Sequence, residues 1–389
     1  MLLRSLCFGG PTSRQKLSEL TGLSPATVST LVAAMIAEGL VVEAGAVESD
    51  GGRPRILLTV NPAYGYVIGV DVGETRIRLE LFDLHMNGLA KAEHGIVRGE
   101  QAPELVAERI LDGVRSLVSD AGIGEDRVLG IGVGVPGVVT QAPEQVVDAP
   151  TYGWHGAPLG ALLRAGTTLP LHIDNGANTL GQAELWLGAG RGARHMIVAL
   201  LGTGVGAAII NDGVLLRGVS SSAGEWGHTI VQPDGRLCRC GRRGCLEAYV
   251  GAGSILERYW EADPSARSIG TDEETELAAM LVAAETGNPA ARRVLVETAD
   301  WLGIGIANMI NLFNPERFLL GCWAGRLLGS ALLEEIRAAV ERRALASPFR
   351  EVTIGLGALG PDAVALGAAT LVFDAFLSSA SHMVRTAEG

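Results

Sequence analysis

The sequence lacks an excess of positive charge. Its 389 residues contain 31 Lys and Arg against 43 Asp and Glu, which gives a formal net charge of −12 at pH 7. A balance of this sign excludes a protein that binds polyanions over its whole surface. The deficit is uneven, because residues 1–62 hold five basic and five acidic side chains and residues 63–389 carry the whole negative charge. This asymmetry predicts a separate N-terminal module.

Long apolar segments are also lacking. The most apolar run, residues 196–216, contains four glycines together with Asn211 and Asp212, so it predicts a buried hairpin and not a membrane span. No stretch has the features of a signal peptide. Hydrophobic residues make up 48% of the chain and 53 residues are Gly, which is typical of an α/β protein of two or three domains. We therefore expect a cytoplasmic, reduced protein without membrane contact.

Cysteine is scarce, and most of it lies in one stretch. Three of the five cysteines are Cys238, Cys240 and Cys245, and His228 lies ten residues upstream of the first. A C-x-C-x4-C spacing with a nearby histidine gives the Cys3His donor set of a closed, structural zinc site. The alternatives are a reduced, buried cysteine cluster with an incidental histidine or, less favoured in a chain that nothing marks as secreted, disulfides.

Residues 1–62 have the pattern of a winged helix-turn-helix. Short helices are predicted at residues 2–8 and 14–22, the second with Leu17 and Leu20 pointing inward. Ser24 can cap a third helix, in which apolar residues recur every three or four positions. These residues are Val28, Leu31, Val32, Met35 and Ile36. Residues 40–42 and 55–60 predict the two strands of a wing.

The third helix and the wing are the predicted DNA contacts. A recognition helix lies in the major groove, and wing arginines reach phosphates or the minor groove. The polar face of this helix carries small and hydroxyl side chains, which suit a close approach. The predicted contacts are Arg14, Ser24, Ala26, Thr27, Ser29, Thr30, Arg53 and Arg55. The alternative, favoured by the neutral charge of the module, is a helix-turn-helix that contacts only proteins.

Two glycine-containing turns resemble the phosphate loops of the actin-like ATPase fold. The first follows an apolar strand at residues 66–72, and the second follows one at residues 196–200. Two such hairpin turns can face one phosphate chain from opposite lobes. The residues concerned are Asp71, Gly73, Thr75, Gly202, Thr203 and Gly204. The alternative is a pair of ordinary glycine turns.

The segments GEWGH, residues 224–228, and CRCGRRGCLE, residues 238–247, resemble the signature of the ROK family of repressors, open reading frames and sugar kinases. The resemblance implies an α/β, two-lobed actin-like (RNase H-like) sugar-kinase fold with an N-terminal winged helix-turn-helix. It implies zinc held by His228, Cys238, Cys240 and Cys245, and a sugar held by Asn175, Glu225, His228 and Glu247. The expected domains are residues 1–62, a small lobe of 63–182 with 362–389, and a large lobe of 183–361 that carries the zinc loop.

The chain departs from the kinases of that family at three places. Gly176 stands where the kinases carry the aspartate that removes a proton from the sugar hydroxyl. Asp174, two residues earlier, is expected to lie roughly 6–7 Å from that position. Glu74 replaces a glycine in the first phosphate loop, and Cys322 and Trp323 add bulk beside the expected adenosine site. These departures favour a binding protein over an enzyme.

The leading hypothesis is therefore a sugar-responsive transcription regulator, most simply a repressor, that binds a palindromic operator as a homodimer or homotetramer. The second is an ATP-dependent sugar kinase with a vestigial N-terminal module. The third is a sugar sensor that acts through a protein partner, which the shortness of the first helix suggests. Thr151 stands where the family commonly has Asn at the pocket edge, so the sugar itself stays open.

Overall fold

Three short helices pack on a small antiparallel sheet at the N-terminus. The computed structural model describes residues 2–49, 52–96, 101–141, 143–267 and 272–386. The sheet order is β1-β3-β2. The helices α2 and α3 are bent by 117° at the turn between them, which is typical of a helix-turn-helix. The elements are α1 Leu2–Phe8, β1 Thr12–Ser13, α2 Arg14–Thr21, α3 Pro25–Ala37, β2 Val41–Ser49 and β3 Gly52–Val60.

Most of the predicted local features of this module are present. Val28 and Val32 on α3 are fully buried, and the Ser24 hydroxyl accepts a hydrogen bond from the Thr27 backbone N–H at 3.1 Å. The wing strands are longer than the sequence predicted. The inward orientation of Leu20 was wrong: Leu17 is 0% exposed and Leu20 is 54% exposed. With two turns, α2 presents one narrow face to the core, and Leu17 fills it.

A five-stranded sheet forms the centre of the small lobe, in the order β11-β7-β4-β5-β6. The strands β4, β7 and β11 are parallel, whereas β5 and β6 extend the sheet as an antiparallel meander. The elements are β4 Tyr66–Val72, β5 Arg76–Phe82, β6 Gly88–Gly95, α4 Pro103–Asp120, β7 Val128–Val135, β8 Val138–Val139, β9 Val147–Ala149, β10 Trp154–Ala157, α5 Leu159–Gly166, β11 Leu171–Asn175 and α6 Gly176–Leu187.

A second five-stranded sheet forms the large lobe, in the order β14-β13-β12-β15-β16. It also joins an antiparallel hairpin, β12–β13, to the parallel strands β15 and β16. The elements are β12 Met196–Leu201, β13 Val205–Asn211, β14 Val214–Leu215, α7 Glu247–Val250, α8 Ala252–Ala262, α9 Glu273–Glu285, α10 Pro289–Phe313, β15 Arg317–Gly321, α11 Cys322–Glu341, α12 Ala346–Glu351, β16 Thr353–Leu356 and α13 Ala363–Thr386. The paired sheets confirm the predicted two-lobed actin-like fold.

Three predicted elements have different ends. The helix expected over 331–345 is α11, which begins at Cys322 immediately after β15. Its glycines are packing positions, since a Cβ on Gly329 would collide with the Leu356 side chain. The strand expected over 128–139 is interrupted at residues 136–137, and α13 continues beyond its predicted end at residue 378 to Thr386.

The helices α6 and α13 connect the body to the N-terminal module. Glycine allows α13 to lie directly on the small-lobe sheet, because a Cβ on Gly69 or Gly132 would collide with a backbone carbonyl oxygen of α13. Trp186, at the end of α6, and Phe373, on α13, belong to the same buried cluster as Leu6 of α1. The N-terminal module and the body thus share one core, and Leu2, Leu3 and Leu6 of the short α1 are all buried in it.

Taken singly, none of the described helices combines the length and the hydropathy needed to cross a membrane. The pair α2 and α3 meets those two criteria only when its two helices are counted together. The domain limits at residues 62, 182 and 361 stay a prediction.

Candidate ligand cleft and metal centre

Four side chains converge on one point in the loop that precedes α7. The donor atoms of His228, Cys238, Cys240 and Cys245 all lie within 4.8 Å of one another. The Sγ atoms of Cys240 and Cys245 are 3.7 Å apart, and the Nδ1 atom of His228 is 3.8 Å from the Sγ atom of Cys238. Tetrahedral zinc with bonds of about 2.3 Å places neighbouring sulfurs about 3.8 Å apart. The cluster therefore has the dimensions of a tetrahedral metal site.

The same distances separate this cluster from a disulfide. A sulfur–sulfur bond is about 2.05 Å long, far shorter than the separation of Cys240 and Cys245. The loop closes because Gly241 and Gly244 adopt φ values of 83° and 80°, and the Cys238 N–H donates to the Arg242 carbonyl at 2.7 Å. Positive φ is readily available to glycine, which explains the glycine-rich sequence between the sulfurs.

Two predicted sugar ligands lie beside the metal cluster. Glu247 begins α7, is almost fully buried, and accepts a hydrogen bond from the Val205 backbone N–H at 2.9 Å. The Nε2 atom of His228 lies 3.8 Å from the Glu225 carboxylate, while its Nδ1 atom faces the sulfurs. Burial raises the pKa of Glu225, His228 opposes the rise and Glu247 adds to it. The structure thus brings Glu225, His228 and Glu247 together.

Asn175, the fourth predicted sugar ligand, is engaged by the protein itself. Its side-chain oxygen accepts from the Ala177 N–H at 2.7 Å and caps α6, and its Nδ2 donates to the Gly137 carbonyl at 2.6 Å. The next residue, Gly176, has open space around it: a Cβ there would meet nothing closer than 3.7 Å. Asn175 therefore fixes the N-terminus of α6 at the cleft.

Asp174, two residues before Gly176, is engaged by neighbouring side chains. Its carboxylate is buried, forms an ion pair with Arg217, and accepts from the Asn178 side chain at 3.0 Å. Sequence reasoning missed Arg217, because no local spacing links it to a carboxylate 43 positions earlier.

The two predicted phosphate loops do face each other, but their polar groups bind the protein. The Nη1 atom of Arg239 donates to both oxygens of the Glu74 carboxylate, at 2.7 and 2.9 Å. Arg239 also donates to the Thr203 carbonyl at 3.0 Å, and the Thr203 hydroxyl donates to Glu273 at 2.8 Å. In the first loop, burial raises the pKa of Asp71 to about 6. Arg239 and Glu273 were not predicted.

The expected adenosine side of the cleft is filled by side chains. Cys322 has a φ of 62°, which is uncommon outside glycine, and burial raises the pKa of its thiol to about 12. Trp323 lies against the second phosphate loop, so that a Cβ on Gly202 would be 3.1 Å from its indole nitrogen. Cys322 and Trp323 thus both lie beside Gly202 of the second phosphate loop.

The predicted DNA-binding face is largely solvent-exposed. On α3 and just before it, Ser24, Ala26, Ser29 and Thr30 are exposed, as is Arg55 in the wing, while Arg14 and Thr27 are half-buried. The side chain of Arg53 lies outside the described residues. The geometry leaves this face open to a partner, and its contact with DNA stays a prediction.

Comparison with known proteins places these features in a family. The model of the ROK family matches residues 67–375. The chain belongs to the ROK family. It is 33% identical over 383 residues to the xylose repressor of Caldicellulosiruptor bescii, covering 97% of this chain and 96% of that protein.

Two solved structures differ in how much of this chain they match. A ROK family transcriptional regulator, described as a homologue of the Escherichia coli Mlc protein, covers 100% of this chain and 98% of its own, with a TM-score of 0.80 and 25% identity. A ROK family glucokinase from Streptomyces griseus, in complex with glucose and AMPPNP, covers 79% of this chain and 99% of its own, with a TM-score of 0.67 and 31% identity. The full length is thus shared with regulators, and the kinase match is partial.

Proposed function

We propose that this ROK protein is a sugar-responsive transcriptional repressor that acts in the cytoplasm. In this proposal the N-terminal winged helix-turn-helix binds operator DNA, and the body binds a sugar without phosphorylating it. The observation that carries the proposal is the shared core in which Leu6 of α1 packs with Trp186 of α6 and Phe373 of α13. A DNA-binding module fused in this way can respond to the state of the cleft.

The DNA interface in this proposal is the exposed face of α3 together with the wing. Ala26, Ser29 and Thr30 are short enough to let the helix backbone approach base edges in the major groove. Arg55 on β3 is exposed and suits a phosphate contact. A homodimer or homotetramer would present two such faces to a palindromic operator, whose half-site spacing must match theirs.

The four-donor cluster is proposed to hold a structural zinc ion. One imidazole and three thiolates complete a tetrahedral set and leave no open position for chemistry. Glu247 follows Cys245 by two residues, and His228 belongs to both the cluster and the cleft. The ion would therefore fix two of the proposed sugar ligands in place.

The sugar is proposed to bind at Glu225, His228 and Glu247, near the N-terminus of α6. Carboxylates and imidazole accept from and donate to hydroxyl groups, so the site selects polyols over apolar ligands. Asn175 begins α6 at the cleft, and Trp186 ends it beneath the N-terminal module. A sugar that binds one arrangement of the lobes more tightly would shift the arrangement of the DNA-binding faces.

Three features support binding without phosphorylation. Gly176 supplies no base, and the buried Asp174 is paired with Arg217. Glu74 and Arg239 occupy the phosphate loops with their own ion pair. This arrangement is the reason to prefer the regulator over the ATP-dependent sugar kinase, although the body resembles a glucokinase.

The direct test is footprinting of DNA upstream of the protein's own gene, with and without a panel of sugars. D-xylose is the first sugar to try, because relatives at 30–33% identity over nearly the whole chain are named xylose repressors. We expect a protected palindrome whose protection changes when one sugar is added. Absence of specific protection at moderate salt would remove the proposal.

A further inference from the structure

An ion pair crosses the cleft between the two lobes. Glu74 lies in the turn between β4 and β5 of the small lobe, and Arg239 lies in the metal-cluster loop of the large lobe. Both carboxylate oxygens are within 2.9 Å of the guanidinium, whose second terminal nitrogen donates to the Thr203 carbonyl. The Glu74 side chain is 14% exposed and that of Arg239 is 35% exposed. The pair is therefore partly shielded from water.

Further carboxylates surround this arginine. The Glu247 carboxylate lies 3.5 Å from Arg239, and Glu273 accepts from the hydroxyl of Thr203. Burial raises the pKa of Glu74, Arg239 opposes the rise, and the nearby Glu273 and Glu247 add to it. When ionised, these three carboxylates outnumber the single guanidinium, so the local charge is negative.

The ion pair borders the proposed sugar site. A Cβ built on Gly204 would lie 3.6 Å from Glu247 and 3.9 Å from both Arg239 and Glu74. In a kinase cleft the acceptor hydroxyl of the sugar lies next to the phosphate loops, since the phosphoryl group must pass between them. A sugar held in this chain as in such a kinase would thus point the corresponding end toward Arg239.

A guanidinium in this place would ordinarily attract a phosphate, because its fork matches phosphate oxygens. Here Glu74 already takes both hydrogen-bonding directions of one nitrogen, and Thr203 takes the other nitrogen. The second arginine near the cleft, Arg217, is likewise paired with Asp174. An incoming phosphate would have to break a formed pair and approach Glu247 and Glu273.

We propose that Glu74 and Arg239 select the ligand by its charge. The space between the lobes then accepts an uncharged sugar and rejects the terminal phosphate ester of that sugar. This inference rests on the proposed sugar-binding function and names the class of effector. In physical terms, Glu74 holds the local charge negative and saturates the one cation that would stabilise a phosphate. The same pair keeps nucleotide phosphates out of the loops.

Calorimetric titration of the full chain tests the inference with D-glucose and D-glucose 6-phosphate, which share the same ring form, and with D-xylose as a second neutral sugar. We expect the wild-type protein to bind at least one of the two neutral sugars, and to bind D-glucose 6-phosphate at least about 100-fold more weakly than that sugar. In Glu74→Gln, which frees Arg239 and removes one negative charge, we expect the affinity for that ester to rise about tenfold. The affinity for the neutral sugar should stay within about threefold.

Two further variants and two controls distinguish selection against the ester from a purely structural role of the Glu74–Arg239 pair. Arg239→Gln and the double variant should not gain ester affinity, since no free guanidinium remains. Control substitutions are Glu125→Gln, exposed before β7 at the opposite end of the small-lobe strands from Glu74, and Arg242→Gln, exposed on the same loop as Arg239. Both controls should keep the wild-type preference.

Two results would overturn the inference. One is a wild-type protein that binds an ester at least as tightly as the neutral sugar, or that binds neither neutral sugar. The other is a folded Glu74→Gln protein that keeps the neutral sugar and gains no ester affinity. The titration uses no DNA, so failure of the operator footprint would remove the proposed repressor function and leave the selectivity result standing.

Discussion

Gly176 is the residue on which the proposed loss of phosphorylation depends most directly. It is the first residue of α6, it lacks a positive φ, and a Cβ there has no neighbour within 3.7 Å. A Cβ is therefore accommodated, and a carboxylate at a helix N-terminus is stabilised by about 0.3–1 kcal/mol. We therefore expect an aspartate to be tolerated at this position.

The variant Gly176→Asp is predicted to fold with unchanged or slightly higher thermal stability and to show no ATP-dependent phosphorylation of glucose or xylose. The reason is that Glu74, Arg239 and Trp323 still occupy the nucleotide side of the cleft. A coupled ADP-release assay with the wild-type protein in parallel measures this. Turnover in either protein would show that the cleft admits a nucleotide.

A second residue prediction concerns the ion pair at the end of β11. Replacing Arg217 with Met leaves the buried Asp174 carboxylate with neutral partners, among them Asn178. Breaking a buried pair costs about 3–5 kcal/mol, and because Arg217 is partly exposed we expect a loss of about 2 kcal/mol in the free energy of unfolding.

Urea denaturation measures that loss. Adding Asp174→Asn should restore most of the stability, because the uncompensated charge is then gone. The matched control Arg242→Met should change the free energy of unfolding by less than about 0.5 kcal/mol. A small effect of Arg217→Met would mean that water or a neighbouring group compensates Asp174.

At the residue scale, a contact can be predicted from the sequence when its partners lie close together along the chain. The metal donors lie within 18 residues, so their spacing alone predicted the cluster that the structure contains. The partners Glu74 and Arg239 are 165 positions apart, and only the closure of the two lobes brings them together. The sequence marks Glu74 as a departure in the first phosphate loop, but it does not reveal the arginine that pairs with it.

At the scale of an element, the loop of residues 228–247 is predicted to depend on its metal. Chelation should remove about one zinc ion per chain and weaken sugar binding at least tenfold, because His228 and Glu247 lose their fixed positions. Elemental analysis and titration of the same samples measure both quantities. Cys240→Ser should have the same effects.

The control for the metal prediction is Cys7→Ser on α1, outside the cluster. It should leave the zinc content at the wild-type value. Metal-free protein that binds sugar with undiminished affinity would show that the loop holds its shape without an ion.

Elements were predicted best where one local pattern decided them. The apolar repeat of α3 and its Ser24 cap were read correctly. The start of α11 was placed nine residues late, because Gly325 and Gly329 look like helix breakers in sequence. In the fold those glycines let α11 pack against β16 and β12, which is a property of the assembled lobe.

At the scale of the whole molecule, the junction between module and body is predicted to transmit the sugar signal. The Arg4 guanidinium lies 4.2 Å from the centre of the Trp186 ring. Arg4→Gln removes a cation–π contact of about 0.5–1 kcal/mol. We expect unchanged sugar affinity and a two- to fivefold smaller effect of sugar on operator affinity.

Fluorescence anisotropy with labelled operator DNA, with and without sugar, measures this ratio. The matched control is Arg267→Gln, which removes a similar contact with Trp260 in the large lobe, at 5.0 Å. It should leave the ratio unchanged. If sugar changes operator affinity equally in the wild type, Arg4→Gln and Arg267→Gln, the contact between Arg4 and Trp186 does not transmit the signal.

The twelve residues of α6 join the proposed sugar site to the N-terminal module as one helix about 18 Å long. Each residue inserted into such a helix turns its far end by about 100° and advances it by about 1.5 Å. We expect length changes here to misalign the proposed DNA-binding face without altering the residues of the proposed sugar site. Insertions and deletions should thus be tolerated in the surface loops of this protein long before they are tolerated between Gly176 and Leu187.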